Sequence, residues 1–358
     1  MTFLLDDGQW EFGRTLDRML GAADTAGAVR AWAADDTGPG RKVWQRLADA
    51  GVFALPVPEE YGGVAADAYG GPAPSARGDA PQDSPRIGMG LAVELAVAFV
   101  ELGRHAVPGP VVETVASAAL LGRLGDPALS GDWLPGIATG TRLVSYVAAT
   151  HGPYAYAYAL DAGSADATFV VAEDRLLRAA SHGQVQPSLD PARRLARPAP
   201  GGEVLASGPA VRAAAAYAAD VASFLTAAQA LGVGRRLLAE TVAYVRQRKQ
   251  FGVAIGSFQA VKHRLADTLL ALEFAEPLVF GAAVALAGEE GRAGADVAAA
   301  KVAAGEAAYG AARAALQLHG AVGYTEELDL SLWIRKARAL RGAWGSPSAC
   351  RARVLEGM

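Results

Sequence analysis

Residues 244–259 have the sequence YVRQRKQFGVAIGSFQ, and the assignment of the fold starts here. The apolar spacing before it predicts a long helix that ends in a cluster of cations. Phe251 and Gly252 predict a turn, and Phe258 and Gln259 lie at the start of a second helix. The stretch therefore predicts two long helices joined by a cationic, aromatic turn.

The chemistry of this turn allows two interpretations. A guanidinium can grip a pyrophosphate through paired hydrogen bonds, an aromatic ring can pack on a planar base, and a glutamine amide can donate and accept at a ring edge. Alternatively, the arginines only favour the negative end of the helix dipole, and Phe251 lies in the core. Composition alone does not decide between a dinucleotide site and an ordinary helix end.

Helical patterns extend on both sides of a short β-prone region. Helical spacing of apolar residues predicts an N-terminal helical domain over residues 1–139. A dense run of glycine and proline at 66–87 predicts an exposed loop within it. Short β-prone runs, at 144–147, 154–158, 167–171 and 176–177, predict a small middle β domain over residues 140–208. Residues 209–358 predict a C-terminal helical bundle. Its clearest helix begins near Ser257, a candidate cap, with one apolar face formed by Phe258, Val261, Leu265, Leu269 and Leu272.

Bulk composition excludes several classes of protein. With 358 residues and 52% apolar composition, the chain is large enough for more than one core. The net charge of -4 argues against nucleic acid and membrane partners, and the short basic island at 191–197 is predicted to be a solvated loop. The single cysteine, Cys350, excludes an internal disulfide and a multi-cysteine metal site. No signal peptide is recognised at the acidic N-terminus, so we expect a soluble, cytoplasmic protein without a metal.

Familiar catalytic motifs do not occur in the sequence. There is no His-Glu-x-x-His helix, no Gly-x-Ser-x-Gly elbow and no Walker loop. The Gly232-Val233-Gly234 pattern lies in a helical run and lacks the third glycine of a dinucleotide fingerprint. The turn at 244–259 is thus the best candidate for a ligand site.

The order of residues in four blocks resembles the acyl-CoA dehydrogenase family. The blocks are Arg248 to Asp267, Ala300 to Glu327, Leu55 to Gly63 and Val100 to Arg104. The resemblance implies a fold with an N-terminal helical domain, a middle β-barrel and a C-terminal four-helix bundle, mainly α with a small β part. It also implies FAD bound between the middle and C-terminal domains, with a neighbouring subunit completing the site.

The resemblance implies a set of cofactor-binding residues. Arg248 and Phe251 would reach the diphosphate and adenine end of the flavin, with Gln259 nearby. A second loop would meet the adenosine part across a dimer contact, and it contains Gln317, His319, Gly320 and Gly323. Ala321 replaces the second glycine of the family's pair, so the backbone there approaches a ligand less closely.

The implied reaction removes hydrogens from Cα and Cβ of an acyl-CoA or related thioester, with electrons passing to an electron-transfer flavoprotein or to oxygen. The family's usual base glutamate corresponds to Trp344, and the alternative base position corresponds to Ala222. Neither side chain can abstract a proton, so the catalytic residue stays unknown. The family's flavin-ring segment is not recognisable either, and residues 150–154 occupy its region.

Three hypotheses follow from these departures. The chain is one subunit of a heteromeric dehydrogenase similar to those of actinobacterial steroid side-chain degradation, whose partner carries the base. Alternatively, it is a self-sufficient flavoenzyme with its base elsewhere, or a non-catalytic structural partner without flavin. The self-sufficient enzyme would act on a biosynthetic acyl substrate. The resemblance implies lipid or steroid metabolism and a homo- or hetero-oligomer, a dimer or tetramer, and the sequence leaves the acyl group open.

Overall fold

The computed structural model describes residues 5–65, 91–148, 158–288 and 293–357. Three predicted features lie wholly or mostly outside these residues: the loop at 66–87, the strand at 154–158 and the segment at 150–154.

The N-terminal part of the described chain is helical. Asp6 begins the first helix with a capping box, since its carboxylate accepts from the backbone of Gln9 and the Gln9 side chain accepts in return. The two most buried helices, α4 and α5, pack against the C-terminal half. The helices are α1 (Asp7–Gly21), α2 (Thr25–Ala33), α3 (Gly38–Asp49), α4 (Ala92–Arg104), α5 (Val111–Leu124) and α6 (Pro127–Ala138).

The middle part contains short strands. They are β1 (Val144–Ala148), β2 (Ala159–Leu160), β3 (Ala167–Ala172), β4 (Arg175–Arg178), β5 (Leu195–Ala196) and β6 (Glu203–Ser207). A four-stranded sheet has the order β1-β3-β4-β6, in which β1 and β3 are parallel and the other pairs antiparallel. β2 pairs with β5 in a separate antiparallel ladder. The bounds of β1, β3 and β4 are close to those predicted, whereas β2, β5 and β6 were not predicted.

The C-terminal part is a helical bundle built around its first helix. The elements are α7 (Pro209–Gln247), β7 (Lys249–Gln250), β8 (Val253–Ala254), α8 (Gln259–Ala287), α9 (Ala293–His319), α10 (Leu330–Gly342) and α11 (Pro347–Glu356). α7 contacts α4, α5, α8, α9 and α10, so it links the N-terminal helices to the bundle. The succession of helices, strands and helices agrees with the predicted layout, while the domain boundaries at 139/140 and 208/209 stay a prediction.

Two glycines allow α4 and α7 to pack backbone to backbone. A Cβ atom at Gly232 would lie 1.8 Å from the carbonyl oxygen of Val100, and one at Gly103 would lie 2.0 Å from that of Gln229. Gly234 is also confined, because its Cβ would lie 2.5 Å from Leu272 Cδ2. The Gly232-Val233-Gly234 pattern therefore serves helix packing rather than phosphate binding.

The predicted apolar face of α8 is only partly buried in the single chain. Leu272 is buried, but Leu269 is 47% exposed and Phe258 is 40% exposed. Ser257 is not the cap, because its hydroxyl donates to the carbonyl of Ala254 and α8 begins after Phe258 without a side-chain cap. The prediction of Ser257 as the cap was therefore wrong, whereas sequence periodicity does not tell which partner covers the apolar face.

α8 is also long and apolar enough to cross a membrane, with a mean hydropathy of 1.8 in its most apolar window. Length and composition do not separate such a helix from the core helix of a soluble protein. α8 packs against α4, α7 and α9 in the bundle. The expected absence of a membrane partner stays a prediction.

Candidate functional site

The cationic turn forms a tight β-hairpin on the surface. β7 and β8 are joined by Phe251 and Gly252, whose φ angles are +51° and +81°. This pair of left-handed residues fits a two-residue hairpin turn, although phenylalanine adopts that conformation at a cost. The Phe251 ring is 93% exposed and lies edge-on to Phe258 at 6.4 Å. The interpretation of Phe251 as a core residue is therefore wrong.

Arg248 follows α7 directly and begins this hairpin. Its carbonyl accepts from the backbone of Ile255 at 2.8 Å, which closes the base of the turn. Its guanidinium is exposed, and among the described residues it has no ion pair. The neighbouring Lys249 is exposed too. The hairpin thus presents uncompensated positive charge beside an exposed aromatic ring.

The second predicted block surrounds the end of α9. Gln317 is exposed, and its side-chain oxygen accepts from Arg264 Nη2 at 3.2 Å. Gly320 has φ +65°, and a Cβ there would meet nothing within 4 Å. In contrast, His319 is only 6% exposed, its Nδ1 lies 2.8 Å from the Ala315 carbonyl, and Gly323 is buried. His319 and Gly323 therefore shape the loop from inside.

Contacts between helices bring the two blocks together. The Tyr244 ring, one turn before Arg248, stacks on His319 with 4.1 Å between ring centroids. The Arg264 that binds Gln317 lies on α8, which begins at Gln259. The Gln259 side chain is exposed and makes no hydrogen bond within the described ranges. The groups exposed here are the Arg248 guanidinium, the Phe251 ring, the Gln259 amide and the backbone at Gly320. Together they fit a planar, anionic group that approaches from outside the chain.

Trp344, at the position expected for the family's base, is held by contacts with other parts of the chain. Trp344, at φ +51°, stacks on Tyr146 of β1 with ring centroids 5.5 Å apart and an angle of 11° between planes. Its indole nitrogen donates to Glu113 Oε1 of α5 at 3.0 Å. Glu113 of the N-terminal part, Tyr146 of the middle part and Trp344 of the C-terminal part therefore pack together at this position.

A buried lysine fixes this segment. The Lys301 ammonium donates to the carbonyls of Leu340, Arg341 and Gly345 at 3.0, 3.1 and 3.2 Å. It therefore caps the end of α10 and holds the turn that carries Trp344. Burial lowers the pKa of Lys301 to about 8.

Glu113 is the carboxylate nearest to the expected base position, and sequence reasoning missed it. It is 3% exposed, and burial raises its pKa, although the Arg193 charge and the Trp344 hydrogen bond oppose the shift. Within the described chain its Oε2 has no hydrogen-bond partner. The cavity beside it measures about 10 Å³, which has room for about one water molecule. A flavin ring or an acyl chain does not fit there.

The alternative base position lies close by. Ala222 is fully buried in α7, and a Cβ at Gly345 would lie 3.9 Å from the hydroxyl of the adjacent Ser223. The two expected base positions are therefore neighbours in space. Neither offers a carboxylate, so the catalytic residue stays unknown.

The basic island at 191–197 is not a solvated loop. The side chain of Arg194 is 11% exposed and pairs with Asp35 at 2.7 Å. Asp190, just before the island, is 1% exposed and lies 3.0 Å from the Lys336 ammonium of α10. The prediction was wrong because acidic partners distant in sequence draw these charges into contacts between the middle part and both helical parts.

One group of potential metal ligands occurs among the described residues. Oxygen and nitrogen atoms of Asp17, Glu101 and His105 lie within 4.8 Å of one another. The Arg104 guanidinium lies 3.6 Å from Asp17 and 3.3 Å from Glu101. Because this cation already compensates both carboxylates, the group is an ion-pair network between α1 and α4.

Comparisons with known proteins agree with this arrangement. Family models match at both ends of the chain: the acyl-CoA dehydrogenase N-terminal domain over residues 16–70 and the C-terminal domain over residues 212–358. Acyl-CoA dehydrogenase IpdE2 of Mycobacterium tuberculosis is 32% identical over 324 residues, which cover 89% of this chain and 87% of the relative. The chain belongs to the acyl-CoA dehydrogenase family. The predicted fold class is thereby confirmed.

Solved structures share this fold at low sequence identity. The ChsE4–ChsE5 complex from Mycobacterium tuberculosis matches with a TM-score of 0.78 at 23% identity, covering 99% of this chain and 98% of that one. The Tcur3481–Tcur3483 steroid ACAD G363A variant matches with a TM-score of 0.78 at 22% identity, covering 98% and 97%. Family membership supports FAD as the cofactor, and a further neighbour, PigA, was solved with FAD and proline at a TM-score of 0.78 and 19% identity, covering 99% and 98%.

Proposed function

We propose that this chain is one subunit of a heteromeric, FAD-dependent acyl-CoA dehydrogenase. The observation that carries the proposal is a contrast within one chain. Arg248, Phe251 and Gln259, expected at the adenosine diphosphate end of FAD, are exposed, and Arg248 has no ion pair among the described residues, whereas Trp344 at the position expected for the base is held by Tyr146 and Glu113. A chain that exposes a surface for the adenosine diphosphate end of FAD but has no base can complete a site on a partner subunit.

In this assembly the exposed surface binds the end of a flavin whose ring lies in the partner. Arg248 neutralises the diphosphate, Phe251 packs on the adenine, and the backbone at Gly320 leaves room for the ribose. A carboxylate of the partner would take the α-proton, and FAD, when bound, would supply the hydride-accepting chemistry at the β-carbon. The function of this chain is to bind and orient, without a proton-transfer residue of its own.

The exposed apolar face of α8 supports an oligomer. Five large apolar side chains along this helix are 44% to 72% exposed. They are Leu269, Leu270, Phe274, Leu278 and Val284. Contiguous apolar exposure on one helix is typical of a protein interface. A hetero-oligomer also agrees with the two-component names of two structural neighbours.

The substrate we propose is the CoA thioester of a steroid side chain or ring fragment. The support is the steroid description of one neighbour, the Tcur3481–Tcur3483 protein. An electron-transfer flavoprotein, or oxygen, would reoxidise the flavin, and a cytoplasmic location stays part of the proposal. The alternative function is a structural subunit that binds no flavin, which the filled space at Trp344 favours.

Substitution of Arg248 tests the proposed grip. We expect Arg248→Ala to lower the FAD content of the complex with the base-bearing partner, because the lost charge-assisted hydrogen bonds contribute about 1.5 to 3 kcal/mol each. Arg212→Ala, at the opposite end of α7 and paired with Asp174 at 3.7 Å, is the matched control. FAD is measured by absorbance after gel filtration. Unchanged FAD content in Arg248→Ala would refute the grip and favour the flavin-free alternative.

A further inference from the structure

The cavity of about 10 Å³ beside Glu113 lies where the N-terminal, middle and C-terminal parts of the chain meet. α5 contributes Glu113 to its wall, α7 contributes Gln229 and α10 contributes Lys336. The middle part contributes Arg193 of the basic island. A space of this size holds about one water molecule.

Three polar side chains in the wall are buried without partners for all of their hydrogen-bonding groups. Glu113, Gln229 and Lys336 are each 3% or 4% exposed. Trp344 donates to Glu113 Oε1, whereas Oε2 has no partner among the described residues. No described residue hydrogen-bonds the Gln229 amide. The ion pair of Lys336 with Asp190, at 3.0 Å, leaves at least two of the three N–H groups of the ammonium without a described acceptor.

Groups of this kind are normally satisfied in folded proteins, either by other protein groups or by ordered water. The three side chains come from three different helices and share one cavity, so one small molecule can satisfy all of them. The wall contains acceptors, in the carboxyl and amide oxygens, and donors, in the ammonium and amide nitrogens. The ligand must therefore accept and donate hydrogen bonds at once.

Charges of both signs around the cavity disfavour an ion. Lys336 and Arg193 would repel a metal cation, and Glu113 and Asp190 would repel an anion. Burial raises the pKa of Glu113, although the Arg193 charge opposes the shift. A neutral molecule that both donates and accepts fits these surroundings, and water is the one that fits the volume.

We propose that this cavity binds one water molecule, which bridges Glu113 Oε2, the Gln229 amide and the Lys336 ammonium. These contacts match the roughly three hydrogen bonds that a buried water usually makes. The bound molecule joins α5 to α7 and α10. It also holds the second oxygen of the carboxyl whose first oxygen accepts from Trp344, so it helps to position the residue that replaces the expected base. The site lies within a single chain and does not depend on the proposed function.

A high-resolution crystal structure of the full chain, grown in sodium bromide, tests the site. We expect one solvent peak within about 3.2 Å of Glu113 Oε2, the Gln229 amide and the Lys336 ammonium, without an anomalous bromide signal. Magnetic relaxation dispersion of the solvent counts long-lived internal waters in solution, and its amplitude should include this one. An ordered wall around a cavity without density overturns the proposal. A bromide peak in the cavity overturns it too, because it identifies an anion site.

Variants of the wall decide whether its polar groups hold the molecule. Glu113→Leu/Gln229→Leu makes most of the wall apolar at similar volume, and apolar cavities stay dry, so we expect the peak and one water's share of the dispersion amplitude to be lost. Glu113→Gln keeps the shape and the hydrogen-bonding groups and should retain both. Gln247→Leu, an exposed change at the end of the same helix α7, is the matched control and should leave both unchanged.

Each contrary result counts against the site. Retention of the water in Glu113→Leu/Gln229→Leu, or its loss in Glu113→Gln or in Gln247→Leu, overturns the proposal. If the double variant does not fold, the solvent peak in the wild type and in Glu113→Gln still decides it. The Arg248→Ala experiment measures FAD retention, so failure of the proposed function is distinguishable from failure of this site.

Discussion

Replacement of Trp344 by phenylalanine tests the contact that fills the expected base position. The phenyl ring can keep the stack on Tyr146, but it cannot donate the 3.0 Å hydrogen bond to Glu113. Glu113 is 3% exposed and its Oε2 has no partner among the described residues, so this buried carboxyl then also loses the side-chain hydrogen bond at Oε1. The lost hydrogen bond to a buried carboxyl costs about 1 to 3 kcal/mol, and the smaller ring costs about 1 kcal/mol more. We expect a total loss of about 2 to 4 kcal/mol.

Guanidinium unfolding at fixed protein concentration measures this loss, and a double-mutant cycle assigns it. Glu113→Met removes the carboxyl at similar length, so Trp344→Phe should cost about 1 to 3 kcal/mol less in that background. The same substitution at Trp333, whose indole donates to the Arg104 carbonyl at 2.9 Å, is a control that should show no coupling to Glu113. Additive losses at Trp344 and Glu113 would refute the contact.

Three further predictions concern the helix crossing, a buried acid and the hairpin. Gly232→Ala should destabilise the protein by about 1 to 3 kcal/mol or more in the same unfolding assay, because its Cβ would lie 1.8 Å from the Val100 carbonyl; Gly310→Ala, where a Cβ meets nothing within 4 Å, is the control. Burial raises the pKa of Asp161 from 3.8 to about 7. The folded state therefore retains a proton that the unfolded state loses, and this group's contribution falls as pH rises from about 4 to 7. Asp161→Asn, which keeps an acceptor for Trp32, should raise Tm relative to the wild type more at pH 8 than at pH 5, and an equal effect at both would contradict the buried-acid assignment. Phe251→Ala should leave Tm within a few degrees, since the ring is 93% exposed, yet reduce FAD retention; full retention would contradict a role for the ring.

Local patterns predicted much of the fold. The long helix before Arg248, the turn at Phe251–Gly252 and the β-prone middle region are visible in the sequence because each depends on neighbouring residues. The family resemblance added the order of the helical, β and helical domains. It also identified Trp344 and Ala222 as the residues at the two positions expected for the catalytic base. The binding roles predicted for Arg248, Phe251, Gln259 and the 317–323 loop are not decided by the fold and stay predictions.

Contacts between distant residues were not predictable. Glu113 and Trp344 are 231 positions apart, and the only local signal was a single acid within the apolar helix α5. Arg194 of the basic island pairs with Asp35, and Asp190 just before the island pairs with Lys336. These ion pairs were not predicted, because charge patterning does not identify pairing partners distant in sequence. The partner of the α8 apolar face was not predicted, because the same spacing is compatible with a core and with an interface between chains.

The FAD content of the chain, alone and in complex with a base-bearing partner, tests the central claim most directly. The account predicts little or no flavin in the isolated chain and roughly one FAD for each pair of unlike chains in the complex, since Trp344, stacked on Tyr146, occupies the position expected for the base in this chain. It also predicts that only the complex reduces a dye with an acyl-CoA. A flavin on every isolated chain, together with acyl-CoA-dependent dye reduction, would contradict the account.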